Sequence, residues 1–156
     1  MNTTITARRA HATTMGLATS VLLVIFAAAL TFGTASASAS PTAGAVMGTK
    51  HDDHLVGDNS RNNISGRAGD DVIDGNGGND KLHGNRGDDT LNGGKGRDRL
   101  WGGRGADSLN GGKGNDHLFA LADDGRTDTL NCGPGKDTAV VRAEDVTVGC
   151  ENVRII

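Results

Sequence analysis

A nine-residue period constrains this chain more than any other feature. It is cleanest in the run GGKGRDRLW GGRGADSLN GGKGNDHLF, from Gly93 to Phe119, where three units follow head to tail without insertion. A repeat of this kind decides the fold class before any single residue is considered. The period runs back unbroken to Gly48 and gives eight units. The first position of each is Gly48, Gly57, Gly66, Gly75, Gly84, Gly93, Gly102 and Gly111. The fourth is His51, Ser60, and then Gly69, Gly78, Gly87, Gly96, Gly105 and Gly114. The sixth is Asp53, Asn62, Asp71, Asp80, Asp89, Asp98, Asp107 and Asp116. The eighth is Leu55, Ile64, Ile73, Leu82, Leu91, Leu100, Leu109 and Leu118.

Each unit divides into a Gly-, Asn- and Asp-rich hexapeptide and a polar-aliphatic-polar triplet such as Arg99-Leu100-Trp101. A triplet with one apolar centre predicts a very short strand with one buried face. The hexapeptide predicts a turn, because Gly accepts positive φ and Asn or Asp tolerate it. Strand and turn alternating at this spacing predict an all-β chain, a parallel coil of two sheets. Two units make one turn, and the aliphatics of both sheets meet in a thin central seam. Aromatics are only 3% of the chain, so a thick core of packed helices is excluded.

In such a coil, residues one full turn apart sit one strand spacing apart, about 4.8 Å. Asp71, Asp89 and Asp107 then stack on one edge, and Asp80, Asp98 and Asp116 on the other. Carboxylates at that distance repel by roughly 1 kcal/mol in water and several at an effective dielectric near 20. A hard divalent cation between turns removes the repulsion, and an oxygen-only donor set at flexible spacing suits Ca²⁺. Four inter-turn pairs carry Asp on both sides: Asp71 with Asp89, Asp89 with Asp107, Asp80 with Asp98, and Asp98 with Asp116. Two pairs at the start are expected to be weaker or empty. Asp53 with Asp71 has His51 in a glycine position, and Asn62 with Asp80 has Ser60 there. The seam is thin against the entropy of ordering the repeat, so folding is expected to require the cation.

The pattern GGxGxDxUx, met in Gly48 to Phe119, resembles the repeats-in-toxin (RTX) nonapeptide. The resemblance implies a right-handed parallel β-roll with calcium ions lodged between successive turns. It implies ligands from the carboxylates of Asp53, Asp71, Asp80, Asp89, Asp98, Asp107 and Asp116, and from backbone carbonyls. Glycine at the fourth position, Gly69, Gly78, Gly87, Gly96, Gly105 and Gly114, lets the backbone turn its carbonyl inward. The tail CGPGKD…GCENV resembles the ends of small actinobacterial members of this repeat family.

The flanks are different. Residues 1–39 read as a secretory signal: Arg8 and Arg9 in a positive n-region, an apolar run from Leu17 to Phe32, and A-x-A junctions ending at Ala37 and Ala39. The rival reading is a membrane anchor, for which the run is a little short. Residues 40–47 read as a flexible lead-in. The signal implies a secreted protein in an oxidising, calcium-rich setting. After Phe119 the phase slips by three residues, Ala120 to Ala122, and two degenerate units follow, with Asp128 and Asp137 in phase. Residues 120–156 are expected to cap the seam. Cys132 and Cys150 lie 18 apart, one coil turn, and are expected to form a disulfide.

Net charge is −3, and basic residues alternate with acids in the repeat, which argues against nucleic acid. The basic third positions (Lys50, Arg86, Lys95, Arg104, Lys113) are expected to neutralise neighbouring acids in part; the alternative is a stripe for a polyanion. The variable fifth position is not expected to supply an essential ligand. The cluster His51-Asp52-Asp53-His54 is read as a solvated first turn rather than a transition-metal site. His83, His117, Trp101 and Phe119 fall at outward positions and are read as surface. No HExxH, GxSxG, P-loop or EF-hand spacing is present, so no enzymatic activity is expected. The expected protein is a monomeric, extracellular calcium-binding roll with no membrane span once the signal is removed. The alternative is a calcium-stiffened adhesion or cell-envelope module with a cell-surface polymer or protein as partner.

Overall fold

The computed structural model describes residues 35–38, 45–122 and 124–156; of residues 35–38 it gives the backbone alone. All fall in one compact unit, Phe32–Ile156. The expected signal up to residue 34, and residues 39–44 of the junction and lead-in, lie outside the described residues.

Fourteen strands are present among the described residues, and no helix. They are β1 (Ala35–Ser38), β2 (Ala45–Met47), β3 (Asp53–Val56), β4 (Asn63–Ser65), β5 (Val72–Asp74), β6 (Lys81–Arg86) and β7 (Thr90–Lys95). There follow β8 (Arg99–Arg104), β9 (Ser108–Lys113), β10 (His117–Phe119), β11 (Thr129–Asn131), β12 (Thr138–Val141), β13 (Val146–Val148) and β14 (Asn152–Ile155). Odd strands form one parallel sheet in the order β1-β3-β5-β7-β9-β11-β13. Even strands form the other, β2-β4-β6-β8-β10-β12-β14. The chain is thus a parallel β-roll in which each unit passes to the opposite sheet. Register follows the repeat: Ile73 pairs with Leu91, Leu91 with Leu109, and Leu82 with Leu100.

The seam is the eighth-position aliphatics. All eight are at most 1% exposed, and Leu130, Ala139 and Val141 continue the column into the C-terminal cap. Each strand therefore turns one aliphatic inward and sends its neighbours outward, the two-residue alternation of an extended chain.

Two N-terminal strands depart from the sequence reading. Ala45–Met47, expected in the lead-in, pairs with β4 through Val46 and Ile64. Ala35–Ser38, expected inside the signal, pairs with β3. The physical reason is phase: Val46 lies nine residues before Leu55 and holds the seam position although its unit lacks the glycines.

The C-terminal cap keeps the register through its insertion, since Thr129 pairs with Ser108 and Thr138 with His117. The inserted loop is tied back by the Gly105 N–H, donated to the Asp124 carboxylate at 2.8 Å, and by Arg126 on Asp88 at 2.8 Å. Cys132 and Cys150 form a disulfide with Cα atoms 5.1 Å apart.

Truncating a seam residue should leave a cavity that the stacked strands cannot close. Leu100→Ala is expected to cost roughly 2–5 kcal/mol in denaturant unfolding. Val148→Ala, at a 57% exposed position, should stay within about 0.5 kcal/mol.

Candidate metal centre

The sixth-position acids are buried beside the seam. Asp71, Asp80, Asp89, Asp98, Asp107 and Asp116 are at most 2% exposed, and Asp53 is 4%. Burying a carboxylate demands partners, and the roll supplies half of them. The Asp71 N–H donates to Asp89 Oδ1 at 2.8 Å, and the Asp80 N–H to Asp98 Oδ1 at 2.8 Å. Asp89 donates likewise to Asp107 at 2.9 Å, and Asp98 to Asp116 at 2.8 Å. Each bond joins one turn to the next turn of the same sheet. The first oxygen of each acid from Asp71 to Asp116 is thus built into the main-chain ladder.

The second oxygen is not. Oδ2 of Asp71, Asp80, Asp89, Asp98, Asp107, Asp116 and Asp137 is buried with no hydrogen-bond partner. The surroundings of this atom hold further acceptors. A side chain begun at Gly93 would place its Cβ 2.6 Å from Asp98 Oδ2 and 2.6 Å from the Gly111 carbonyl oxygen. At Gly75 the same point lies 2.8 Å from Asp80 Oδ2 and 2.7 Å from the Gly93 carbonyl oxygen. A carboxylate oxygen and a carbonyl oxygen of the following turn therefore converge where only glycine leaves room. An orphaned anion beside a second acceptor calls for a cation rather than a hydrogen-bond donor. Residues of this kind fit a hard cation with oxygen ligands.

The fourth-position glycines are placed as their chemistry requires. Gly69, Gly78, Gly87, Gly96, Gly105 and Gly114 all have positive φ, between 112° and 144°. At Gly96 the demand is double: φ is 126°, and a Cβ would run into the Gly78 carbonyl of the preceding turn. These glycines pack one above another along the turn edge.

The first two units differ at the decisive atom. Asp53 Oδ2 accepts from the Thr49 N–H at 2.6 Å and the Thr49 hydroxyl at 2.9 Å. Asn62 Oδ1 accepts from the Asp58 N–H at 2.9 Å. The cluster His51-Asp52-Asp53-His54 is dispersed by strand alternation: Asp53 turns inward, while exposed His54 meets Asp74 at 3.2 Å. Among the described residues no three His, Cys, Asp or Glu side chains gather as a metal cluster. A cation here must therefore draw on backbone carbonyls as well as acids.

Two features went unread in the sequence. The acid ladder continues through the cap: Asp107 donates to Asp128 Oδ1 at 2.8 Å and Asp116 to Asp137 Oδ1 at 2.7 Å. It ends on Asp145 and Glu151, at 2.9 and 2.8 Å. The in-phase placement of Asp128 and Asp137 was the available signal. The fifth position forms a second ladder, in which Asp70 Oδ1 accepts from the Asp88 N–H and Asn79 Oδ1 from the Arg97 N–H, both at 2.8 Å. The third-position cations form no direct ion pair with the acids among the described residues. Among the described residues no carboxylate lies within 4.0 Å of Lys50, Arg86, Lys95, Arg104 or Lys113, because these side chains project from the turns while the acids turn inward.

Comparison with known protein families now bears on this geometry. Residues 47–82 and 83–118 each match the family model of the RTX calcium-binding nonapeptide repeat (4 copies). This stretch of the chain is an RTX calcium-binding repeat array. No curated protein matches the chain. The RTX assignment covers β3 to β10 and every acid of the repeat.

Burial leaves its mark on the carboxyls of the RTX array. Desolvation, partly offset by the backbone N–H, pushes Asp71, Asp107 and Asp116 up to about 6 and Asp80 and Asp89 up to about 7. Asp128 rises to about 7 for the same reason. Repulsion between acids also raises these values, but it ranks below burial, which corrects the emphasis on stacked charges drawn from the sequence. A carboxyl whose folded pKa exceeds the ordinary 3.8 stabilises the fold most below that value. The contribution is lost as pH rises through about 6 to 7, where the buried acids must ionise. Metal-free protein should therefore show more β circular dichroism at about pH 5 than at about pH 8, and saturating calcium should abolish the difference.

Proposed function

We propose that the roll binds several calcium ions between successive turns, is ordered by them, and works outside the cell as a binding or structural module rather than an enzyme. The observation that carries this reading is the seven buried carboxylate oxygens without partners, set in two rows. The pairs Asp71–Asp89, Asp89–Asp107, Asp80–Asp98 and Asp98–Asp116 would hold the ions, with backbone carbonyls of the glycine-rich turns. Asp116–Asp137 adds a fifth candidate, since Asp137 Oδ2 is also unpartnered. Bound calcium would neutralise the buried acids and complete their coordination. The Asp53–Asp71 and Asn62–Asp80 pairs are proposed as weaker, because Thr49 and Asp58 already occupy the relevant oxygen.

The Cys132–Cys150 disulfide favours an oxidising compartment. With it goes the proposal that residues 1–39 are a cleaved signal and that the mature chain is a monomer. Cleavage after Ala37 or Ala39 removes β1 in whole or in part and leaves β3 as an edge strand.

The test is a calcium titration of the chain from residue 40 onward, followed by circular dichroism, with ions and subunits counted by native mass spectrometry. A coil spectrum is expected in chelator at neutral pH and a β spectrum with calcium. Asp89→Asn and Asp98→Asn, each shared by two pairs, should raise the calcium midpoint several-fold, while Asp53→Asn should barely move it. A full β spectrum in chelator, with no rise in melting temperature on adding calcium, would sink the reading.

A further inference from the structure

A shallow cleft follows the edge of the even-strand sheet where its strands pass into the turns. One part is lined by Lys50, Arg67 and Arg86, the next by Arg86 and Arg104 with Trp101. The four cations form one row. Arg86 pairs in register with Arg104, and the Arg86 N–H donates to the Arg67 carbonyl at 3.3 Å. Arg86 and Arg104 are thus about one strand spacing, ~4.8 Å, apart, with Arg67 one repeat position off their register on the preceding turn and Lys50 two turns before Arg86. All four are exposed, and no carboxylate lies within 4.0 Å of any of them among the described residues. Like charges side by side on neighbouring strands are destabilising without a counter-charge.

Two further observations fall on the same cleft. Arg67 has φ 85° and Asn85 has φ 85°, at the repeat position where Gly103 has φ 119°. Side chains are therefore kept where the backbone favours glycine, a cost that points to use. Beside the row, His83, Trp101 and Phe119 stack face to face, with centroids 4.4 and 5.1 Å apart and planes within 8° of parallel. The faces of Trp101 are spent on its neighbours, so the ladder offers ring rims to solvent. The rim is the positive part of an aromatic ring.

We propose that this cleft binds an acidic polysaccharide, a linear polymer with carboxylates or sulfates on successive sugars. The row is narrow and follows the roll axis, which suits an extended chain. Guanidinium groups match carboxylate and sulfate oxygens with paired hydrogen bonds. Single-stranded nucleic acid fits poorly, because its bases need aromatic faces to stack on, and the net charge of −3 gives no broad basic face for a duplex. The proposal goes beyond calcium binding and rests on it only in that the cleft belongs to the folded roll.

The test uses the full mature chain at saturating calcium, with dextran sulfate as probe and neutral dextran as control, read by Trp101 fluorescence. Arg86→Gln with Arg104→Gln should weaken binding about tenfold and flatten the logarithmic salt dependence by about two. Lys95→Gln with Lys113→Gln, on the other turn edge, should change it less than about twofold. Arg86→Lys with Arg104→Lys keeps the charge and should retain the salt slope, which covers the case of a poorly folded Gln pair. Calcium binding by the Arg86 and Arg104 variants should be unchanged, so failure of the cleft and failure of the calcium sites are read separately. Equal loss in both Gln pairs, equal binding of neutral dextran, or tighter binding of polyglutamate or an oligonucleotide would overturn the proposal.

Discussion

The structure depends on a buried carboxylate that is only half satisfied. At each repeat acid from Asp71 to Asp116, one oxygen takes an N–H from the previous turn and the other is left without a hydrogen bond beside glycine and carbonyl oxygen. The first oxygen fixes the distance and register of adjacent turns. The second makes the same arrangement costly while it carries a charge without a counter-ion. One side chain thus holds the turns together and sets the condition under which they close. The aliphatic seam does not relieve this tension, since Leu91 and its neighbours pack against one another and offer the acids no counter-charge.

The two side-chain ladders run in opposite senses. At the sixth position the earlier turn donates its N–H to the later acid, as Asp89 does to Asp107. At the fifth, the later turn donates to the earlier side chain, as Asp88 does to Asp70. Adjacent turns are therefore tied through both kinds of bond close to one another in sequence. Where the fifth side chain has no acceptor, as at Arg97 and Ala106, that residue still donates backward through its own N–H, to Asn79 and Asp88. A mixed fifth position is tolerated because each residue needs only one of the two roles.

The strands, the seam and the disulfide were legible in the sequence, because each follows from a fixed phase. Leu or Ile at the eighth place of every nine-residue unit can only be a column, and Cys132 and Cys150 sit one turn apart. The acids were legible as buried and stacked, but their mode of contact was not. Periodicity shows that Asp89 lies beside Asp107 without showing that a backbone N–H stands between them. Strand β2 was missed because its unit keeps Val46 and lacks the glycines that make the pattern visible. The aromatic ladder was missed for a related reason. His83, Trp101 and Phe119 are dissimilar residues eighteen apart, and they become one feature only when alternate units are read together.

That alternation sets the size of tolerated change. The interior repeats with every unit, but the outer faces repeat with every second one: an Asp74–Asn92–Asn110 row on one sheet and the aromatic row on the other. Loss or gain of a single unit would keep the interior in phase while exchanging the faces of every later strand, setting Trp101 into the amide row. Loss or gain of two units would lengthen or shorten the rod and leave both faces intact. Nine residues is the step the fold can count, and eighteen is the step its surface can survive.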